Sequence, residues 1–203
     1  RDLEVTQKTA WFMLHRIRYA FGHKNFKQTL KNDVQATETY MGGKDSNRHE
    51  SKKMGSKGRS DDKTPVVGLI ETGGRVATTV MPWVTKRNVT EFINENMAKD
   101  AKLITDSNPV YYKIGEKHDH TIINHSLKEY KVGEFHTNSI ENYWSVLKRG
   151  IYGIYHQVSR KHLQQYCNEF AFRFNTRESK DSARFNLYLS SVDKRLTYKE
   201  LIK

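Results

Sequence analysis

Metal-dependent phosphoryl transfer needs carboxylates that converge on one or two divalent cations. Those carboxylates must sit on rigid elements, because a loop places them loosely. Two acids in this chain stand where that is possible. Asp106 closes the short apolar run AKLIT (101–105), and the end of a buried strand is a common place for catalytic groups in α/β folds. The same Asp also reads as a turn former, since T-D-S-N-P is rich in turn chemistry. Glu141 lies in HTNSIENYWSVLKRG, 35 positions after Asp106. Ser139 can cap a helix here, which puts Glu141 in its first turn. Lys148 follows seven residues later, two helical turns on, and so projects from the same face. A carboxylate for a metal and a cation for a phosphate on one face make a coherent active-site edge. The competing reading is an exposed helix with scattered charge. Asn138 and Asn142 are placed to support the edge, whereas Tyr143, Trp144 and Leu147 are expected to face the core.

The elements that must carry these residues can be read from pattern. Residues 34–41, VQATETYM, read as a strand ending at Gly42-Gly43. PVVGLIE (65–71) and RVATTVM (75–81) flank Gly73-Gly74 and read as a hairpin. With the first strand they suggest three antiparallel strands in sequence. Residues 88–99 read as a helix, 101–105 as a buried strand, and 139–149 and 159–176 as helices. In the last of these, Leu163, Tyr166, Phe170 and Phe174 form an apolar stripe. Residues 184–203 hold a short helix or two. The order strand, hairpin, helix, strand, helix is that of a ribonuclease-H-like core. Upstream, VTQKTAWFMLHRIRYA (5–20) reads as a helix with Thr6 as N-cap and an apolar face of Ala10, Met13, Leu14 and Ile17. Gln7, Lys8, Thr9 and Arg16 fall elsewhere on its surface. The helix is either an ordinary amphipathic one or the second helix of a helix-turn-helix whose polar and basic residues meet DNA. The chain opens at Arg1, inside this motif, so a segment upstream is expected.

Composition narrows the function classes. The 203 residues suit one domain with appendages. A formal charge of +12 and a pI near 9.6 point first to a polyanionic partner. Eleven Tyr, nine Phe and three Trp are too many for a disordered basic tail. One cysteine, Cys167, excludes a disulfide framework and a self-contained cysteine zinc site; within its apolar helix it reads as core. No run of 18 apolar residues and no signal peptide is present, and a protein of a reducing compartment is expected, cytoplasmic or nuclear. There is no P-loop and no G-x-S-x-G. His118, His120, His125, His136, His156 and His162 offer no tight ligand pair beyond the weak His118-x-His120. Residues 44–63 hold seven Lys/Arg against four Asp/Glu and almost no large apolar side chain. They read as a loop, either a solvated insertion or one that follows a phosphate backbone through Lys52, Lys53, Lys57 and Arg59. Arg149, Arg160 and Lys161 are further basic candidates, as are Arg173 and Arg177, with solvated charge as the default.

ATETYMGG, LITDSNPVYY, HTNSIENYWSVLKRGIYGIYHQVSRKHLQQYCNEFAFRFNTRE and the terminal RLTYKELI resemble the small bacterial insertion-sequence transposases and their Merlin-type relatives. The match runs in order through nearly the whole chain, and QKTAWFMLHRIR resembles the end of that family's helix-turn-helix. The resemblance implies a DDE catalytic domain of ribonuclease-H-like fold over 32–180. It would be preceded by the C-terminal part of a DNA-binding segment (1–31) and followed by a helical tail (181–203). In the family the first catalytic Asp stands immediately before E-T-Y-x-G-G; here that position is Thr37. Asp106 matches the second Asp, Glu141 the Glu, and Lys148 the Lys seven residues later.

The implied activity is cleavage of a phosphodiester at transposon ends and joining of the freed 3′-hydroxyl to target DNA. It uses Mg²⁺ or Mn²⁺, two ions when the site is complete, in a dimer or larger assembly on double-stranded DNA. Thr37 departs from the pattern, because a neutral hydroxyl is a weak ligand where a carboxylate is expected. Its neighbours are poor substitutes. Glu38 points to the opposite face of the strand, and Asp33, on the right face by parity, is about 13 Å away at ~3.3 Å per residue. The alternative is therefore a catalytically dead or domesticated transposase that remains a DNA-binding module. A basic scaffold for protein contacts is the third reading.

Overall fold

The computed structural model describes residues 2–42, 49, 63–112, 114, 118–124, 127, 131–192 and 195–203. The basic candidates Lys52, Lys53, Lys57 and Arg59, most of the 44–63 segment and His125 lie outside them. Five strands form one sheet in the order β3-β2-β1-β4-β5. β1 (Asp33–Met41), β2 (Thr64–Glu71) and β3 (Val76–Val80) run antiparallel, while β4 (Lys102–Asp106) and β5 (His120–Ile123) run parallel to β1. α2 (Lys86–Asn96) makes the crossover from β3 to β4. This mixed sheet with flanking helices is a ribonuclease-H-like fold, as the sequence order of elements predicts.

The sheet is covered on both faces, which is why β2 reads as a nearly unbroken apolar run. Along β1 the side chains alternate. Val34 and Ala36 join Val67, Leu69 and Leu103 under α2, whose Val89, Phe92 and Ile93 complete that layer. Met41, Val66 and Ile70 face the other way, against Ile140, Tyr143, Trp144 and Leu147 of α3 (Asn138–Gly150) and Leu163 and Cys167 of α4 (Arg160–Asn175). Each such fully buried aliphatic or aromatic side chain contributes roughly 1.5–3 kcal/mol. The β2–β3 turn places Gly73 at φ +72, a conformation suited to glycine.

Several boundaries and faces differ from the sequence reading. α2 begins two residues earlier than 88, because Thr85 caps it by accepting from the Asn88 amide, and it stops at Asn96. β5 was not marked as a strand; four residues with one buried side chain carry too little pattern to show it. The apolar face expected for α1 (Gln7–Ala20) does not turn to the core beyond a half-buried Ala10. Met13, Leu14 and Ile17 are 41%, 48% and 39% exposed, and the helix instead buries His15, Arg18 and Ala20. The reason is a polar partner. The Arg18 guanidinium pairs with Glu169 of α4 at 2.8 Å and lies over the Tyr166 ring at 4.1 Å. The tail forms α5 (Asp181–Leu189) and α6 (Tyr198–Ile202), the latter with a capping box from Thr197 and Glu200.

Candidate active site

Thr37 sits in the middle of β1, paired across the ladder with Gly68 of β2. On its other side the parallel register Ala36↔Thr105 places Asp106, the last residue of β4, one step further along beside Thr37. Asp106 is also a turn former: its Oδ1 accepts from the Asn108 amide at 3.1 Å, and Asn108 in turn caps the following turn. The two readings of this residue therefore coexist. Glu38 points to the opposite face of the strand, where its carboxylate accepts from Asn108 Nδ2 and from the Tyr111 hydroxyl at 2.9 Å.

α3 brings the remaining residues to the same face. Its start is not capped by Ser139. Thr137 is the N-cap residue and makes no side-chain cap bond. The cap comes from the sheet, where Gln35 Oε1 accepts from the Ser139 and Ile140 amides at 3.0 and 3.1 Å. A side chain two residues before Thr37 thus fixes the helix that carries Glu141. Thr137 Oγ1 donates to Glu141 Oε1 at 3.3 Å. One turn on, the Trp144 indole N–H donates to Thr37 Oγ1 at 2.7 Å, a buried bond. Gly68 makes this possible, since a Cβ there would stand 2.5 Å from Trp144 Cη2. Two turns from Glu141, Lys148 lies half-buried.

Together these residues line one open cleft of about 480 Å³, formed by Thr37, Glu38, Thr39, Asp106, Glu141, Trp144, Ser145, Lys148 and Arg149. All four residues singled out for chemistry lie in it, with Arg149 beside them. Among the described residues the other DNA-contact candidates do not line it. Gln7, Lys8, Thr9 and Arg16 are exposed on α1, with Lys8 over the Tyr198 ring and Arg16 over Phe12. Arg160 and Lys161 are exposed at the start of α4. Arg173 pairs with Glu169, and Arg177 donates to the Gly74 carbonyl.

Among the described residues no group of three or more His, Cys, Asp or Glu is placed to hold a metal ion. Two carboxylates, plus a hydroxyl already engaged by an indole, are one acid short of the donor set for two hard cations. Gln35, Gly68 and the bond from Trp144 escaped the sequence reading. Their signal was the run of polar side chains at Gln35, Thr37 and Thr39, on one face of an otherwise buried strand.

No curated protein matches the chain. Among solved structures, it is similar to the HTLV-2 integrase catalytic core domain in complex with magnesium, at 11% identity and a TM-score of 0.42 over 80% of this chain and 99% of that one. It is also similar to the catalytic core domain of BIV integrase, at 13% identity and a TM-score of 0.44 over 79% of this chain and 95% of that one. The ISXO2-like transposase domain matches residues 29–175 and so includes Thr37, Asp106, Glu141 and Lys148, and the chain belongs to that family.

Proposed function

We propose that this chain is a transposase catalytic domain whose DNA-processing site is the cleft of Asp106, Glu141 and Lys148, with catalysis impaired by Thr37. Membership of the family makes it a DDE-type polynucleotidyl transferase by resemblance. The observation that carries the finer reading is the meeting of Thr37, Asp106, Glu141 and Lys148 in one cleft, from two adjacent strands and one helix. In this reading Asp106 and Glu141 are the residues that would hold a divalent cation, Mg²⁺ or Mn²⁺. Such an ion supplies Lewis acidity at a phosphoryl oxygen and a template for the attacking and leaving oxygens. Lys148 neutralises charge on the phosphate beside the scissile bond, and Arg149 extends that field along the backbone. A second ion would need the carboxylate that Thr37 lacks.

The DNA is double-stranded, comprising transposon ends and target, and is held by an assembly of at least two copies. Exposed Gln7, Lys8, Thr9 and Arg16 on α1 and Arg160 and Lys161 on α4 are the further contacts proposed for it, with Lys52, Lys53, Lys57 and Arg59. Residues 1–31 would be the end of the DNA-binding segment and 181–203 a helical appendage. The bond from Trp144 to Thr37 favours a second reading, in which the chain is a DNA-binding module with a vacant catalytic centre.

Mn²⁺-dependent nicking of DNA carrying the element's own ends, by this chain beside Thr37→Asp, separates the two. Cleavage by Thr37→Asp alone is the expected result. Equal cleavage by both would show that Thr37 does not impair the site. If neither cuts although both bind, the assignment of Asp106 and Glu141 fails.

A further inference from the structure

We infer that Thr37 makes the cleft a phosphodiester-binding site that works without a metal ion; this rests on the DNA-processing reading above. The charge that faces the cleft is balanced. On the face of the sheet that carries Thr37, Asp106 and Glu141 stand against Lys148 and Arg149, while Glu38, which also lines the cleft, keeps its charge but turns its carboxylate to the opposite face, where it accepts from Asn108 and Tyr111. With an Asp at position 37 the Thr37 face would carry one net negative charge and would repel a phosphate until a cation entered. With Thr it carries none.

The hydroxyl adds a directed donor. Thr37 Oγ1 accepts the Trp144 indole hydrogen at 2.7 Å, which fixes the side-chain rotamer and uses up one lone pair. Among the described residues the Thr37 hydroxyl has no other hydrogen-bond partner, so its own O–H is left to donate. A buried donor gains from meeting an acceptor, and Thr37 lines the same cleft as Lys148 and Arg149. The Ser145 hydroxyl lies exposed one residue from Trp144 on the same helix. Two cations and two hydroxyls around one opening suit a singly charged, acceptor-rich phosphodiester. An indole bond to the hydroxyl oxygen disfavours the competing role of Thr37 as a ligand to a hard cation.

The test is fluorescence anisotropy of a labelled DNA duplex, titrated with the full chain in EDTA and in Mg²⁺ at one fixed ionic strength. Affinity of the present chain is expected to agree between the two conditions to within about twofold. Thr37→Asp is expected to bind roughly tenfold more weakly in EDTA, from one added like charge beside the phosphate, and to recover in Mg²⁺. Thr37→Val, which keeps the shape and the charge balance, is expected to lose roughly threefold in both conditions, the cost of one modest hydrogen bond. Circular dichroism establishes that each variant is folded, and Thr37→Val carries the test of the hydroxyl if Thr37→Asp is not. Mg²⁺ tightening the present chain as much as Thr37→Asp overturns the inference, as does unchanged affinity in Thr37→Val. Absence of DNA binding by every variant at low salt overturns instead the DNA-processing reading beneath it.

Discussion

Trp144 joins packing to chemistry at a single atom. Its ring fills the space that Gly68 leaves, and its N–H ends on Thr37. Trp144→Phe keeps most of the apolar contact and removes the bond, which leaves the Thr37 oxygen buried without its donor. That change is expected to cost about 1–3 kcal/mol in urea unfolding. Gly68→Val is expected to cost more, because the added carbons would meet the indole edge at the Thr37–Gly68 pair. If Trp144→Phe unfolds at the same urea concentration as the parent chain, the bond contributes nothing to stability. At this scale the positions of Asp106 at a strand end and of Glu141 and Lys148 on one helix face were legible from spacing, and the structure brings the three into one cleft. Gln35 was not, because a side chain that caps a helix about a hundred residues away leaves no local pattern.

The seam between α1 and α4 is built from polar and aromatic side chains, which is why the apolar periodicity of α1 misled. His15 is fully buried there, between Trp11 at 4.3 Å and His162 at 4.7 Å between ring centroids. Its Nδ1–H donates to Gln165, and among the described residues Nε2 has no hydrogen-bond partner. Burial holds the His15 pKa below its ordinary value of 6.5; the Gln165 bond and Glu169 oppose this, and Arg18 and His162 add to it. Burial lowers His162 and His120 in the same direction.

The fold therefore prefers these imidazoles neutral. Their contribution is complete above about pH 6.5 and is lost as pH falls through that value toward the depressed folded pKa. Melting temperature is expected to fall between roughly pH 7 and pH 5, and His15→Gln should flatten part of that fall. A flat profile in the parent chain would remove the seam from consideration as a pH-sensitive element. The long helices α3 and α4 were legible from their apolar periodicity, and the strands β1 to β3 from β-rich runs punctuated by Gly42-Gly43 and Gly73-Gly74. β5 and the ends of α2 depend on a neighbouring strand and on a cap, which pattern alone does not reveal.

For the molecule as a whole, a net charge of +12 suits the DNA proposed above as its partner, and no helix among the described residues is long and apolar enough to cross a membrane. The order of elements along the chain pointed to the architecture, since a hairpin beside the first strand and a helical crossover admit few sheet orders, and the family resemblance carried the reading further, with β5 missing from both. α4 does more than cover a face. Asn175 accepts from the Val76 amide at 2.8 Å and donates to the Val76 carbonyl at 2.9 Å. Gln164 accepts from the Val80 amide at 2.7 Å and donates to the Thr78 carbonyl. Two side-chain amides thus stand in for a missing neighbour along β3. Replacing both, as Gln164→Leu with Asn175→Leu, is expected to expose that margin and raise light scattering at concentrations where the parent chain stays clear. Unchanged scattering would show that helix packing alone protects it. With that margin held by α4, a strand contributed by another copy or another protein cannot add beside β3 without first displacing Gln164 and Asn175, so the helix acts as a stop on growth at that end of the sheet.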